Sequence, residues 1–179
     1  GKWRGNSSYY FSKYNHCWGW ASWRRSFSNW KLVPKEWLKI KQLLLKNESY
    51  YDEYEKKYWE KIFDKLCSRK KIKWDYSLLL HFWIKKYLTI TPNLNLVSNI
   101  GFGKNSTNTK SENSKLSKMK VNNIGKLIHL KHVERNIEAD VYAFNNAFGG
   151  KNLRFPLSWI LFPYRVLNYI FRNIKAIFN

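Results

Sequence analysis

The sequence predicts a helix-rich α/β domain with a few short strands. Two amphipathic patterns with helical spacing cover residues 34–47 and 51–66, and a strongly apolar helical stretch covers 77–87. Short β-prone segments lie at 8–12 and 88–91. Hydrophobic residues fill 44% and aromatic residues 18% of the 179 positions, which is ample for the core of one domain.

Residues 8–12, SYYFS, form the first extended segment and feed a tryptophan-rich turn. A helix follows from Pro34, because Trp37, Ile40 and Leu44 recur at spacings of three and four before Asn47 ends the pattern. In the second helix Tyr51, Tyr54, Tyr58, Ile62, Phe63 and Leu66 form the inward stripe, opposite Asp52, Glu53, Lys56, Lys57, Glu60 and Lys61. A basic turn at 68–73 leads to Trp74-Asp75-Tyr76 and the apolar helix. Residues 88–91 form a strand stopped by Pro92. The polar residues 104–120 have almost nothing to bury and read as a mobile loop. Residues 121–148 accommodate one short extended segment and a turn of helix, and Gly149-Gly150 closes the globular part. The chain thus divides into a domain at 1–150 and a basic tail at 151–179.

Thirty-three Lys and Arg against twelve Asp and Glu give a net charge of +21, which predicts attraction to phosphate-rich or otherwise anionic partners. No standard DNA- or RNA-binding motif accompanies the charge, so no specific nucleic acid is expected. Cys17 and Cys67 are too few and too isolated for a disulfide framework or a cysteine-type zinc site, so a reducing compartment is the default expectation. The absence of a starting methionine before the aromatic run suggests that an N-terminal portion is missing.

Residues 16–25, HCWGWASWRR, carry three indoles and two guanidinium groups. Indole faces stack on flat polar rings and arginine forks grip phosphate or carboxylate oxygens, so Trp18, Trp20, Trp23, Arg24 and Arg25 are candidate ligand contacts for sugars or nucleotides. A buried aromatic cluster overlain by the two arginines accounts for the same run equally well. In the tail, residues 151–179 hold no acid and five bases, and beyond Pro163 the polar positions Arg165, Asn168, Arg172, Lys175 and Asn179 form a narrow stripe. That pattern fits an interfacial helix over 157–179 lying on anionic lipid, with Trp159, Phe171 and Phe178 among the headgroups. Packing on this domain or on a second subunit is the alternative.

Four segments in order, YYFSKYNHCWGWASWRRSF, KYWEKIFDKL, KWDY and TITPNLNLVSNIGFG, resemble the C-terminal half of a bacterial family of nucleotide-diphospho-sugar transferases with the GT-A fold, the hemolytic-protein-like glycosyltransferases. The resemblance runs from about Gly5 to Gly150. It implies the acceptor-side wall of an enzyme whose nucleotide-binding half lies outside this chain. The implied reaction transfers a sugar from a nucleotide-diphosphate donor to a surface-glycan or lipopolysaccharide-type acceptor, at the cytoplasmic face of the inner membrane. Family members use Mg²⁺ or Mn²⁺ to offset diphosphate charge. This chain has Asn108 where the family carries a histidine, which weakens the case for a metal here.

Under that resemblance Asp75 is the candidate general base for the acceptor hydroxyl, since it stands between Trp74 and Tyr76 at a helix start; simple helix capping explains it nearly as well. Trp18, Gly19, Trp20, Trp23, Arg24, Arg25, Trp74 and Tyr76 are assigned to substrate binding. Asn99, Gly101 and Gly103 join them where the chain returns toward the sugar, and the 104–120 loop is placed to close over the donor. His129 and His132 lack a third ligand and read as structural. The alternative function is a non-catalytic basic and aromatic module that binds single-stranded nucleic acid or acidic glycan.

Overall fold

Two four-residue strands tie the beginning of the chain to its middle. The computed structural model describes residues 4–46, 50–68, 73–104, 106, 109, 111, 114, 116–117, 119–164, 166–168 and 170. Strand β1 (Tyr9–Ser12) pairs antiparallel with β2 (Thr89–Pro92), matching Tyr9 with Pro92 and Ser12 with Thr89. The opposite edge of β1 is covered rather than left open: Ser8 N–H donates to the Ile128 carbonyl, Asn136 N–H donates to the Phe11 carbonyl, and Phe11 bridges to Arg135. The helices are α1 (Trp37–Lys46), α2 (Glu53–Cys67), α3 (Trp74–Ile84), α4 (Ile137–Ala147) and a short α5 (Leu157–Ile160), with 3-10 turns at Arg24–Phe27 and Gly150–Leu153. The fold among the described residues is mixed helix and small antiparallel sheet.

The core centres on Trp59 of α2. Its ring meets those of Tyr14, Phe63, Trp83 and Phe148 at centroid separations of 4.9–5.8 Å, and Leu44, Leu66, Leu79, Leu80 and Phe144 complete the buried cluster. Helix α3 is enclosed continuously from Ser77 to Trp83, which is why its sequence is apolar all round rather than striped. It begins three residues earlier than expected, at Trp74. Past Ile84, Lys86 adopts φ +56 and Tyr87 N–H returns to the Phe82 carbonyl, ending the helix before the expected Tyr87.

Helix α2 departs from its expected stripe. The buried positions are Glu55, Trp59, Phe63 and Leu66, while Tyr51 and Tyr54 face solvent. The buried face is turned by about one position because the Glu55 carboxylate is drawn inward by Lys13 and Tyr14. Asp52 caps the helix, accepting from Glu55 N–H at 2.9 Å.

Residues 121–148 hold more helix than expected, because α4 is an eleven-residue element capped by Asn136, whose side chain accepts from Ala139 N–H at 2.8 Å. Packing continues past Gly150, where a Cβ would come within 2.4 Å of the Phe144 ring. Arg154 then reaches back to Asp52, with Nε donating to Oδ2 at 3.1 Å, and also donates to Asn145. No helix among the described residues is long and apolar enough to cross a membrane.

Candidate functional site

The tryptophan-rich segment is not part of the core. Trp18, Trp20, Trp23 and Trp74 are 38–59% exposed, so the buried-cluster explanation for this run does not hold. Instead the loop is fastened to α3 from below. Trp30 Nε1 donates to Ser77 Oγ at 3.1 Å, Ser77 Oγ donates to the Lys31 carbonyl at 3.3 Å, and His81 Nε2 lies 3.0 Å from the Ser26 carbonyl. Ser77 and His81 stand four residues apart on one helix face, the spacing needed to hold two points of one loop. Burial pushes the His81 imidazole pKa down from its ordinary value, favouring the neutral ring at this contact.

Above these anchors Trp20 stacks on Trp74, with centroids 6.2 Å apart and planes 30° apart, and its other neighbour is Phe27 at 5.9 Å. Trp18 meets Phe102 edge to face at 5.8 Å. Between the two indoles, Gly19 takes φ +59 and presses on Val97, where a Cβ would lie 2.5 Å from Cγ2. The structure therefore joins three separate stretches of sequence: the tryptophan loop, the start of α3, and residues 97–102.

Asp75 lies in the first turn of α3, next to the stacked pair. It is not the helix cap, a position held by Lys73. Its Oδ1 accepts from Tyr76 N–H at 2.9 Å. Partial desolvation and then the Asp75 charge push the Cys17 thiol up, and the same two causes raise the Tyr76 phenol, so both groups stay protonated beside the carboxylate. The surface thus combines indole faces, one half-buried carboxylate and nearby neutral donors.

The other expected residues are placed less centrally. Arg25 lies 5.1 Å over the Trp23 ring, a cation–π pair at the surface, and Arg24 is exposed in the same 3-10 turn. The Tyr76 ring turns toward the core and meets Trp59 edge to face at 6.0 Å. Asn99 Oδ1 is used by Gly101 N–H at 2.8 Å, the Gly101 carbonyl accepts from Thr109 Oγ1 at 2.5 Å, and Gly103 N–H donates to the Thr109 carbonyl at 3.1 Å. These three residues build a turn that carries Phe102 to Trp18. Asn108 lies outside the described residues, as do Arg165 and residues 171–179 of the tail. His129 Nδ1 lies 3.0 Å from the Tyr9 hydroxyl. No group of three or more His, Cys, Asp or Glu side chains suited to a metal occurs among the described residues. A groove of about 320 Å³ is lined by Tyr51, Glu138, Tyr142 and Asn146 among others, and none of the tryptophans lines it.

A second polar cluster was not foreseen, and it supports the loop from the strand side. Lys13 Nζ and Glu55 Oε1 form a buried pair at 2.8 Å, and Tyr14 donates to the same oxygen. Tyr51 N–H donates to Glu55 Oε2 at 2.7 Å, Trp59 Nε1 donates to the Tyr14 hydroxyl at 3.1 Å, and Trp83 Nε1 donates to the Lys13 carbonyl at 2.8 Å. Beside it Asp140 accepts from Ser12 Oγ and from Arg135 Nε, each at 2.5 Å. Desolvation lowers the Lys13 pKa to about 8, against the pull of Glu55. The residues that follow, 15–17, enter the tryptophan loop from this fixed point. No local spacing marks Lys13 or Glu55 as buried; Ser77 and His81, polar residues four apart in an apolar helix, were a usable signal for the loop anchors.

No protein-family model matches the chain, and neither a curated protein nor a solved structure matches it.

Proposed function

We propose that this chain supplies the acceptor-side wall of a nucleotide-sugar-dependent glycosyltransferase, with the GT-A arrangement completed by a nucleotide-binding half. The observation that carries the reading is the Trp20–Trp74 stack, close to half-exposed, immediately before the Asp75 carboxylate. Exposed indole faces take the C–H faces of sugar rings, and a carboxylate beside them reads or deprotonates a hydroxyl. In the transfer step the acceptor oxygen attacks the anomeric carbon of the donor. The bond from that carbon to the nucleoside diphosphate breaks, and the diphosphate leaves with the electron pair. The acceptor proton passes to Asp75 Oδ2, since Oδ1 is held by the Tyr76 N–H. No step is assigned to an ion.

The test has a binding arm and a turnover arm. Titration of a neutral oligosaccharide into the chain, followed by ligand-observed NMR, should show saturable binding that Trp20→Ala weakens roughly tenfold, the scale of one lost stacking contact. With the nucleotide-binding half present, Asp75→Asn should lower turnover about 10²–10⁴-fold, the usual contribution of a general base. Normal turnover in Asp75→Asn removes the residue from the mechanism. Binding of single-stranded DNA that falls steeply with salt, with no saccharide binding, favours instead a basic and aromatic nucleic-acid module.

A further inference from the structure

The C-terminal segment is held at its root and bare beyond it. Arg154 is clamped by Asp52 and Asn145, and Ser158 N–H returns to the Arg154 carbonyl at 2.8 Å. From that anchored point Phe155, Trp159, Ile160, Phe162 and Tyr164 are 64–77% exposed, and helical residues continue at 162–164, 166–168 and 170. These side chains are not packed on this domain, so among the described residues packing on this domain does not account for the tail's apolar character. A cluster of five large apolar side chains that exposed marks a surface with a partner.

Charge decides what the partner is. No Asp or Glu follows Asp140, while Lys151, Arg154, Arg165, Arg172 and Lys175 do. A second copy of the chain would bring another +21 against this one. We infer that the segment 155–164 docks on an anionic lipid bilayer, its aromatic and aliphatic side chains entering the headgroup region and the basic excess of the chain drawing it to lipid phosphate. A helix of this kind lies in the plane of the interface and draws its strength from buried apolar area plus attraction to anionic headgroups. The inference does not depend on sugar transfer, since it uses none of the residues around Trp20 and Asp75.

The experiment is cosedimentation of the full chain with vesicles of phosphatidylglycerol in phosphatidylcholine, against phosphatidylcholine alone. The expected result is a preference of roughly tenfold or more for the anionic vesicles that declines as salt rises. The double substitution Trp159→Glu/Phe162→Glu, both at exposed positions, should remove most of it while the circular dichroism spectrum and melting curve stay those of the parent. Trp159→Phe gives an independent check, because brominated lipids should quench the parent's fluorescence more than the variant's. Unchanged sedimentation of the double variant, equal binding to both vesicle types, or equal quenching overturns the inference. So does a vesicle-indifferent dimer that the double substitution converts to monomer.

Discussion

Replacing Lys13 by methionine should remove a pH dependence that the buried pair imposes on stability. Lys13 and Glu55 are 5% and 1% exposed at their side chains, and desolvation carries the lysine from its ordinary 10.5 down to about 8. Between those values the unfolded chain binds a proton that the folded chain has released, so stability climbs with pH in that window and is level below it. From about pH 8 to pH 10 the climb is about 2 kcal/mol, since the full slope of roughly 1.36 kcal/mol per pH unit holds only between the two values. Glu55 stays satisfied meanwhile, because Tyr14 O–H and Tyr51 N–H continue to donate to it. Above about pH 10 the slope reverses, since burial holds the Tyr14 and Tyr50 phenols protonated while the unfolded phenols ionise. Urea unfolding of the parent and of Lys13→Met across this range isolates the lysine, because the remaining basic groups are common to both. The parent should gain about 2–3 kcal/mol more than the variant. Parallel curves up to pH 10 would refute the depressed lysine and with it the account of this cluster.

Gly19→Ala should cost about 1–3 kcal/mol, because alanine must both hold a left-handed φ and displace Val97; a urea midpoint equal to the parent's contradicts this. Phe144→Ala should cost about 3–5 kcal/mol, and Gly150→Ala about 1–3 kcal/mol in the parent. In the Phe144→Ala background most of the glycine penalty should go, leaving the tight approach to Asn145 Oδ1, and strict additivity in that double-mutant cycle would mean the two do not touch. The His81 contact predicts an acid limit. Its imidazole is favoured neutral by burial, so stability should fall as pH drops through about 6.5, the unfolded value, and His81→Gln should flatten that fall. An identical acid profile in the variant would assign the effect to other groups.

The elements that sequence reveals here are those whose buried faces are apolar. Helix α1 keeps its period through Trp37, Ile40 and Leu44, and β1 and β2 lie where their β-prone residues are. Where a charged side chain is buried, the pattern misleads. In α2, Glu55 occupies an inward position, so a stripe drawn through apolar residues alone takes in Tyr51 and Tyr54 and omits Trp59. In α4 the inward residues are Ala139, Asp140 and Phe144, too little apolar surface to mark a helix, although Asn136 and the acids of its first turn are a legible start signal. The candidate site was legible as a composition, three indoles and a carboxylate, but its assembly was not. What brings Trp20 to Trp74 and Trp18 to Phe102 is contact between segments more than fifty residues apart in one case and eighty in the other, and no local spacing encodes it.

The partners of the first strand also fix when the molecule can form. Ser12 meets Asp140 across 128 positions, and Ser8 receives Ile128 N–H across 120. On the ribosome, then, residues 8–14 can meet β2, Glu55 and Trp83 first, while their contacts to Ile128 and Asp140 wait until the α4 sequence has been made. Closing so long a loop makes covering of this strand's outer edge a late, slow event. A nascent chain arrested before Asp140 would leave the outer edge of this strand uncovered, and pulse proteolysis of such arrested chains should find it cleavable.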